Sequence, residues 1–107
     1  NLITNSVNSL DKTDKSHKLI KLTTSKIKKH IFLVVYDNGV GLPNVPIDQL
    51  FDPFFSTRHE DGGTGLGLAI VKMFLNKFGA NIEPANNAMG GATFIVSFNL
   101  ADSVDYV

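Results

Sequence analysis

Residues 61–74 read DGGTGLGLAIVKMF, with glycine at positions 62, 63, 65 and 67 and then an apolar run too long for a turn. Repeated glycine strips side chains from a stretch of backbone and frees its torsions. The apolar run has the length of a helix over 66–78, and Gly79 follows it as a residue suited to a left-handed cap. A fold built on this chain must therefore set a bare loop against the start of an apolar helix. Such a junction offers unpaired amides and the positive end of the helix dipole, which together suit a phosphate chain. A turn leading into a core helix is the plainer alternative, and the glycines alone do not separate the two. Two familiar phosphate loops do not fit. A P-loop needs Lys and then Ser or Thr after its last glycine, whereas Gly67 is followed by Leu68 and Ala69. A dinucleotide fingerprint leaves directly from a strand, whereas this loop follows STRHEDGG.

The chain has 107 residues, 43% of them hydrophobic and eight of them phenylalanine, enough for one modest core and a single domain. Ten basic and ten acidic side chains cancel, which argues against nucleic-acid or membrane binding driven by bulk charge. With no cysteine, neither a disulfide framework nor a thiolate metal site is available. No apolar run approaches the roughly 20 residues that span a bilayer, and the N-terminus lacks the pattern of a secretory signal.

NLITNSVNSL, residues 1–10, puts Leu2, Ile3, Val7 and Leu10 on one side of a helix and Asn1, Asn5 and Asn8 on the other. No cap or turn precedes this helix, so it reads as cut from something longer. Residues 18–24 and 30–37 flank the basic segment SKIKK as a β-hairpin. Residues 31–36 are apolar without alternation, which predicts a central strand covered on both faces. Residues 41–62 show no period beyond a possible turn over 46–51, a length typical of a functional lid or of a disordered loop. GGATFIVSFNL then alternates Phe94, Val96, Phe98 and Leu100 with Thr93, Ser97 and Asn99, as a strand with one buried face does. Residues 101–107 look like a departing tail.

A second glycine cluster, YDNGVG at 36–41, ends the most apolar strand with a carboxylate and two glycines. An ionised Asp37 only accepts hydrogen bonds, so beside a pocket it suits the amino group of a purine. Asp-Asn-Gly is equally a hairpin turn, and this segment alone leaves both readings open.

Taken in order, NLITNSVNSL, DNGVG, FDPFFST, GGTGLGLAI and GGATF resemble the N, G1, F, G2 and final glycine boxes of the ATP-binding domain of sensor histidine kinases. The resemblance covers residues 1–100, and FDPFF with GTGLGLAI distinguishes it from other ATPases of the same fold. It implies an α+β two-layer sandwich, the Bergerat or GHKL fold, with a mixed, mainly antiparallel sheet and helices on one face. It also implies an ATP lid over 42–62 and an N-terminal truncation, because a strand and a helix normally precede the N box. Lost sheet matters where the folding margin is only about 5–15 kcal/mol.

By the same resemblance, Asn5 is the Mg2+ ligand and Asn1, one turn earlier, a further polar contact. Asp37 reads the adenine, Gly39 and Gly41 form the purine wall, and Thr93 brings a hydroxyl near the base. Gly63, Thr64, Gly65, Leu66, Gly67 and Leu68 face the phosphates, so the glycines make way for a triphosphate. Phe51, Phe54 and Phe55 fasten the lid, with Phe54 and Phe55 counted in the nucleotide site. Arg58 reaches the γ-phosphate, while His59 is lid surface and not the phosphorylated histidine. Asn8 stands where many members carry a basic residue, which leaves phosphate charge to Mg2+, Arg58, amides or a lysine such as Lys12.

The implied cofactors are ATP and Mg2+. The implied partners are the protein's own dimerisation and phosphoacceptor domain and a response regulator, with a homodimeric full-length protein, a cytoplasmic location, and neither nucleic-acid nor membrane contact by these residues. The chain alone is expected to bind ATP without phosphorylating itself. A different ATPase of this fold, or a binding module without turnover, are the alternatives.

Overall fold

The computed structural model describes residues 1–53, 55 and 66–100. In chain order the elements are α1 (Leu2–Asp11), β1 (Ile20–Ile27), β2 (His30–Asp37), α2 (Ile47–Leu50), α3 (Gly67–Lys77), β3 (Asn81–Asn86) and β4 (Ala92–Asn99). The strands form one sheet in the order β1-β2-β4-β3. Every pairing among the described residues is antiparallel. The predicted hairpin is β1 and β2, joined so tightly that Ile27 faces His30 and the link is Lys28 and Lys29 alone. Lys28 adopts φ +54°, a left-handed torsion that a side chain disfavours.

β4 carries the period-two signal into the core. Ala92, Phe94 and Val96 are buried, and with Val35 of β2 and Ile82 of β3 they form the apolar centre. The register sets Val35 beside Phe94 and Ile82 beside Val96, so all five lie on one face. Leu2 of α1 and Leu68, Val71 and Leu75 of α3 pack against that face, as do Leu42 and Phe51 from the segment between β2 and α3. The spacing 68, 71, 75 is one helical stripe. Full burial of a side chain such as Phe94 is worth about 1.5–3 kcal/mol, and the result is two layers, helices over one side of an antiparallel sheet.

Helix α3 matches the predicted 66–78 within a residue at each end. It closes as expected: Gly79 takes φ +68°, its N–H donates to Asn76 O (3.2 Å), and the Ala80 N–H donates to Leu75 O (2.8 Å). These are the paired bonds of a Schellman ending. The turn expected over 46–51 is the single helical turn α2 with Pro46 before it.

Three expectations change. β2 is central, but Phe32, Val34 and Tyr36 are only half-buried, because the helices cover a single face. Helix α1 turns Leu2, Ser6 and Leu10 inward and leaves Ile3 and Val7 exposed. A small residue at the seam lets this helix lie close to the sheet, so size outranks hydropathy there. Finally, β3 was not foreseen, since NIEPAN contains a proline. As an edge strand it needs no donor from Pro84 on its outer side.

Candidate functional site

On β2 the odd-numbered residues Ile31, Leu33, Val35 and Asp37 share the helix-covered face. Asp37 thus stands where the pattern calls for an apolar side chain, and it is 1% exposed. A carboxyl group at that depth requires donors. Oδ1 accepts three: the Gly39 N–H (2.9 Å), the Ala92 N–H (3.2 Å) and the Ser9 hydroxyl (3.3 Å). Among the described residues no donor reaches Oδ2. One oxygen is fixed by the protein, and the other is left as an oriented acceptor.

The glycines around Asp37 are required by close backbone approach. A Cβ on Gly39 would fall 2.2 Å from Ser9 Oγ and 2.6 Å from Ser9 C, so the loop after β2 lies directly on α1. Ser9 Oγ also accepts the Val40 N–H (3.0 Å) and so ties α1 to that loop as well as to Asp37. Gly41 has φ +83°, and a Cβ there would meet Asn86 Oδ1 and Gly90 O at 2.8 Å. A Cβ on Gly91 would sit 2.0 Å from Asp37 O. Gly39 thus donates to the carboxylate while Gly41 lies against Asn86 and Gly90, and protein contacts alone already demand a glycine at both positions.

Thr93 joins this group through Asn87. The Asn87 amide donates to Thr93 Oγ1 (3.1 Å) and to Asp37 O (2.9 Å), while its Oδ1 accepts the N–H groups of Met89 (3.0 Å) and Gly91 (3.2 Å). Asn38 locks the other side: Oδ1 accepts the Leu19 N–H and Nδ2 donates to His17 O, each at 2.8 Å. Ser9, Lys15, Asn38, Asn86, Asn87 and Gly91 complete the frame. Ser9, Asn38 and Gly91 fall within the sequence boxes described above, whereas Lys15, Asn86 and Asn87 lie outside them.

At the other end of the site Asn1 and Asn5 stand one turn apart on α1, with Asn5 half-buried. Asn1 occupies the N-cap position, yet its side chain makes no capping bond. Its Oδ1 instead points to α3, 3.7 Å from where a Gly67 Cβ would be. The Asn5 amide makes no hydrogen bond among the described residues. Leu66 occupies the N-cap position of α3, where its apolar side chain makes no capping bond, and Leu68 packs inward from the helix. Gly67 differs from Gly39 and Gly91, because among the described residues no atom would collide with a Cβ there.

From the segment between β2 and α3, Leu50 is buried, Phe51 packs on the core and lies 5.4 Å beneath Lys72 Nζ, and Phe55 is half-buried. Phe54, Arg58, His59, Gly63, Thr64 and Gly65, together with residues 101–107, lie outside the described residues. No group of three or more His, Cys, Asp or Glu is arranged to hold a metal among the described residues.

One antiparallel sheet with helices over a single face, a buried acid at a strand end and a glycine-led helix beside Asn1 together define an α+β fold of the Bergerat type. Residues 1–102 match the family of histidine kinase-, DNA gyrase B- and HSP90-like ATPases, and the chain belongs to that family. It is 33% identical over 91 residues to the signal transduction histidine-protein kinase ArlS of Staphylococcus epidermidis, a match covering 81% of this chain and 20% of that protein. The chain thus spans about a fifth of that relative's length. The catalytic domain of the histidine kinase ThkA superposes with a TM-score of 0.74 at 26% identity, covering 92% of this chain and 60% of that one. Full-length ShkA in complex with AMPPNP does so with the same TM-score and identity, over 95% of this chain and 21% of its own. The similarity is thus to ATP-binding catalytic domains of sensor histidine kinases. None of the described helices is long and apolar enough to cross a membrane.

Proposed function

We propose that this domain binds Mg-ATP and presents its γ-phosphate to a histidine on a separate dimerisation domain of the same protein, for onward transfer to a response-regulator aspartate. The observation that carries the reading is the Asp37 carboxylate, buried and held at Oδ1, with no donor to Oδ2 among the described residues. A fixed acceptor of this kind suits the exocyclic amino group of adenine and disfavours guanine, which offers a carbonyl at that position. The AMPPNP complex of a structural neighbour supports the same choice of ligand.

In this reading Gly39, Gly41 and Thr93 surround the base. Asn1 and the amides of Leu66, Gly67 and Leu68 meet the phosphates, with Gly63, Thr64 and Gly65 continuing the cradle. The lack of a clash at Gly67 among the described residues supports that role, since no neighbour described there demands the glycine. Arg58 acts on the γ-phosphate, and Phe54 and Phe55 belong to the lid. The side-chain oxygen of Asn5 is a hard donor with no competing hydrogen bond among the described residues, which fits Mg2+. When bound, the ion neutralises phosphate charge, the main demand of a loose phosphoryl-transfer transition state. The remaining task of the chain is to position ATP. The whole protein is read as a homodimer with its catalytic domains in the cytoplasm.

The test is thermal unfolding without nucleotide and with ATP plus EDTA, Mg-ATP or Mg-GTP. Mg-ATP at a hundredfold excess over its dissociation constant is expected to stabilise the domain by about 2.7 kcal/mol. EDTA should reduce the gain, and Mg-GTP should give none. An unshifted cooperative transition in all four conditions would end the proposal.

A further inference from the structure

Lys15 follows α1 in the loop before β1 and lies outside the five sequence boxes. It is exposed, yet its ammonium is fully engaged by backbone: it donates to Asn38 O (2.7 Å), Gly39 O (3.4 Å) and Met89 O. An ammonium has three donors and no acceptor, so three convergent carbonyls use its whole capacity. Those carbonyls come from two segments distant in sequence, the loop after β2 and the turn between β3 and β4. The two amides on Asp37 Oδ1 come from the first of these segments, at Gly39, and from Ala92, which opens β4 directly after the second. The turn fits closely around the charge: Gly90 has φ +86°, and a Cβ there would stand 3.4 Å from Lys15 Nζ.

We propose that Lys15 is a positioning residue for the purine end of the site, clipping the 38–39 loop to the 86–91 turn and so fixing the aim of the Asp37 carboxylate. Carbonyl dipoles that converge without a cation repel one another. Without the ammonium the two segments separate, and the Gly39 and Ala92 amides no longer hold Oδ1 together. Asn1, Asn5 and the start of α3 take no part in the clip, so the phosphate end is unaffected. The inference rests on the nucleotide reading above and extends it to a residue with no contact to the ligand.

Isothermal titration of the wild type and of Lys15→Met with Mg-ATP and with Mg-triphosphate separates the cases. Lys15→Met is expected to bind Mg-ATP about tenfold more weakly, the scale of one lost charge-assisted bond, while Mg-triphosphate affinity stays within about twofold. Unchanged ATP affinity, or equal losses for both ligands, would overturn the proposal. Should Lys15→Met lack a cooperative thermal transition, Lys15→Arg carries the same comparison, because its fork keeps the charge but cannot converge on all three carbonyls. A wild type that binds triphosphate but shows no preference for ATP would instead remove the adenine reading, and this inference with it.

Discussion

Asp37 and Ser6 are the two largest fully buried side chains, and they meet burial in opposite ways. Asp37 collects donors, whereas the Ser6 hydroxyl, at 0% exposure, has no hydrogen-bond partner. Leaving a buried hydroxyl unbonded costs roughly 1–3 kcal/mol. Ser6→Ala keeps the small volume that the seam needs, so we expect it to raise stability by about 1 kcal/mol in urea unfolding with an unchanged m-value. Destabilisation would mean that the hydroxyl is bonded in solution. Asp37→Asn preserves shape but can turn an NH2 toward the base, where an amino group repels it and a carbonyl accepts it. Equilibrium dialysis should show ATP affinity falling by about a hundredfold or more and the preference moving toward GTP. Undiminished ATP binding would take Asp37 out of the site. Its importance is legible because an acid followed by two glycines ends an apolar strand. Lys15 and Asn87 are not, since each acts on backbone groups far along the chain and no spacing rule links them.

Left-handed torsions at the ends of elements offer a matched pair of tests. At Gly79 the φ of +68° is met by glycine with nothing within 4 Å, so Gly79→Ala incurs backbone strain alone. At Lys28 the φ of +54° is met by a lysine, so Lys28→Gly releases strain of the same kind. Chemical denaturation should therefore show a loss of about 1–2 kcal/mol for the first and a smaller gain for the second, neither altering nucleotide affinity. Strain of the same sign in both would show that contacts outweigh torsion. The elements most legible in sequence were those with a sustained period, α3 and β4, and the hairpin with its basic link. Strand β3 is too short and polar to announce itself, and its proline argues against a strand until its edge position is known. Helix α1 misled in a different way. Its apolar residues at positions 3 and 7 mark a face, but the packed seam runs through Ser6, because distance to the sheet rather than hydropathy selects the inward side.

Across the whole molecule, apolar packing and polar recognition occupy different places. The core spreads over one face of the sheet, and the buried acid marks the end of that sheet where α1, the loop after β2 and the β3–β4 turn converge. The start of α3 lies against Asn1 at the opposite end of the site. A nucleotide spanning these ends would direct its terminal phosphate away from the core and toward a second domain. With γ-labelled ATP we expect this chain alone to take up no acid-labile phosphate and a dimerisation domain added in trans to become labelled; label on this chain would contradict the division of labour proposed here. The sheet itself carries a last consequence. Among the described residues its outer strands are β1 and β3, each with one row of backbone groups facing away from the sheet. Lys21 and Lys26 stand exposed along β1, and Pro84 interrupts the donors of β3. A foreign strand approaching either border would meet charge on one side and a missing N–H on the other, so the features that end this sheet also protect crowded copies of the domain from fibril growth.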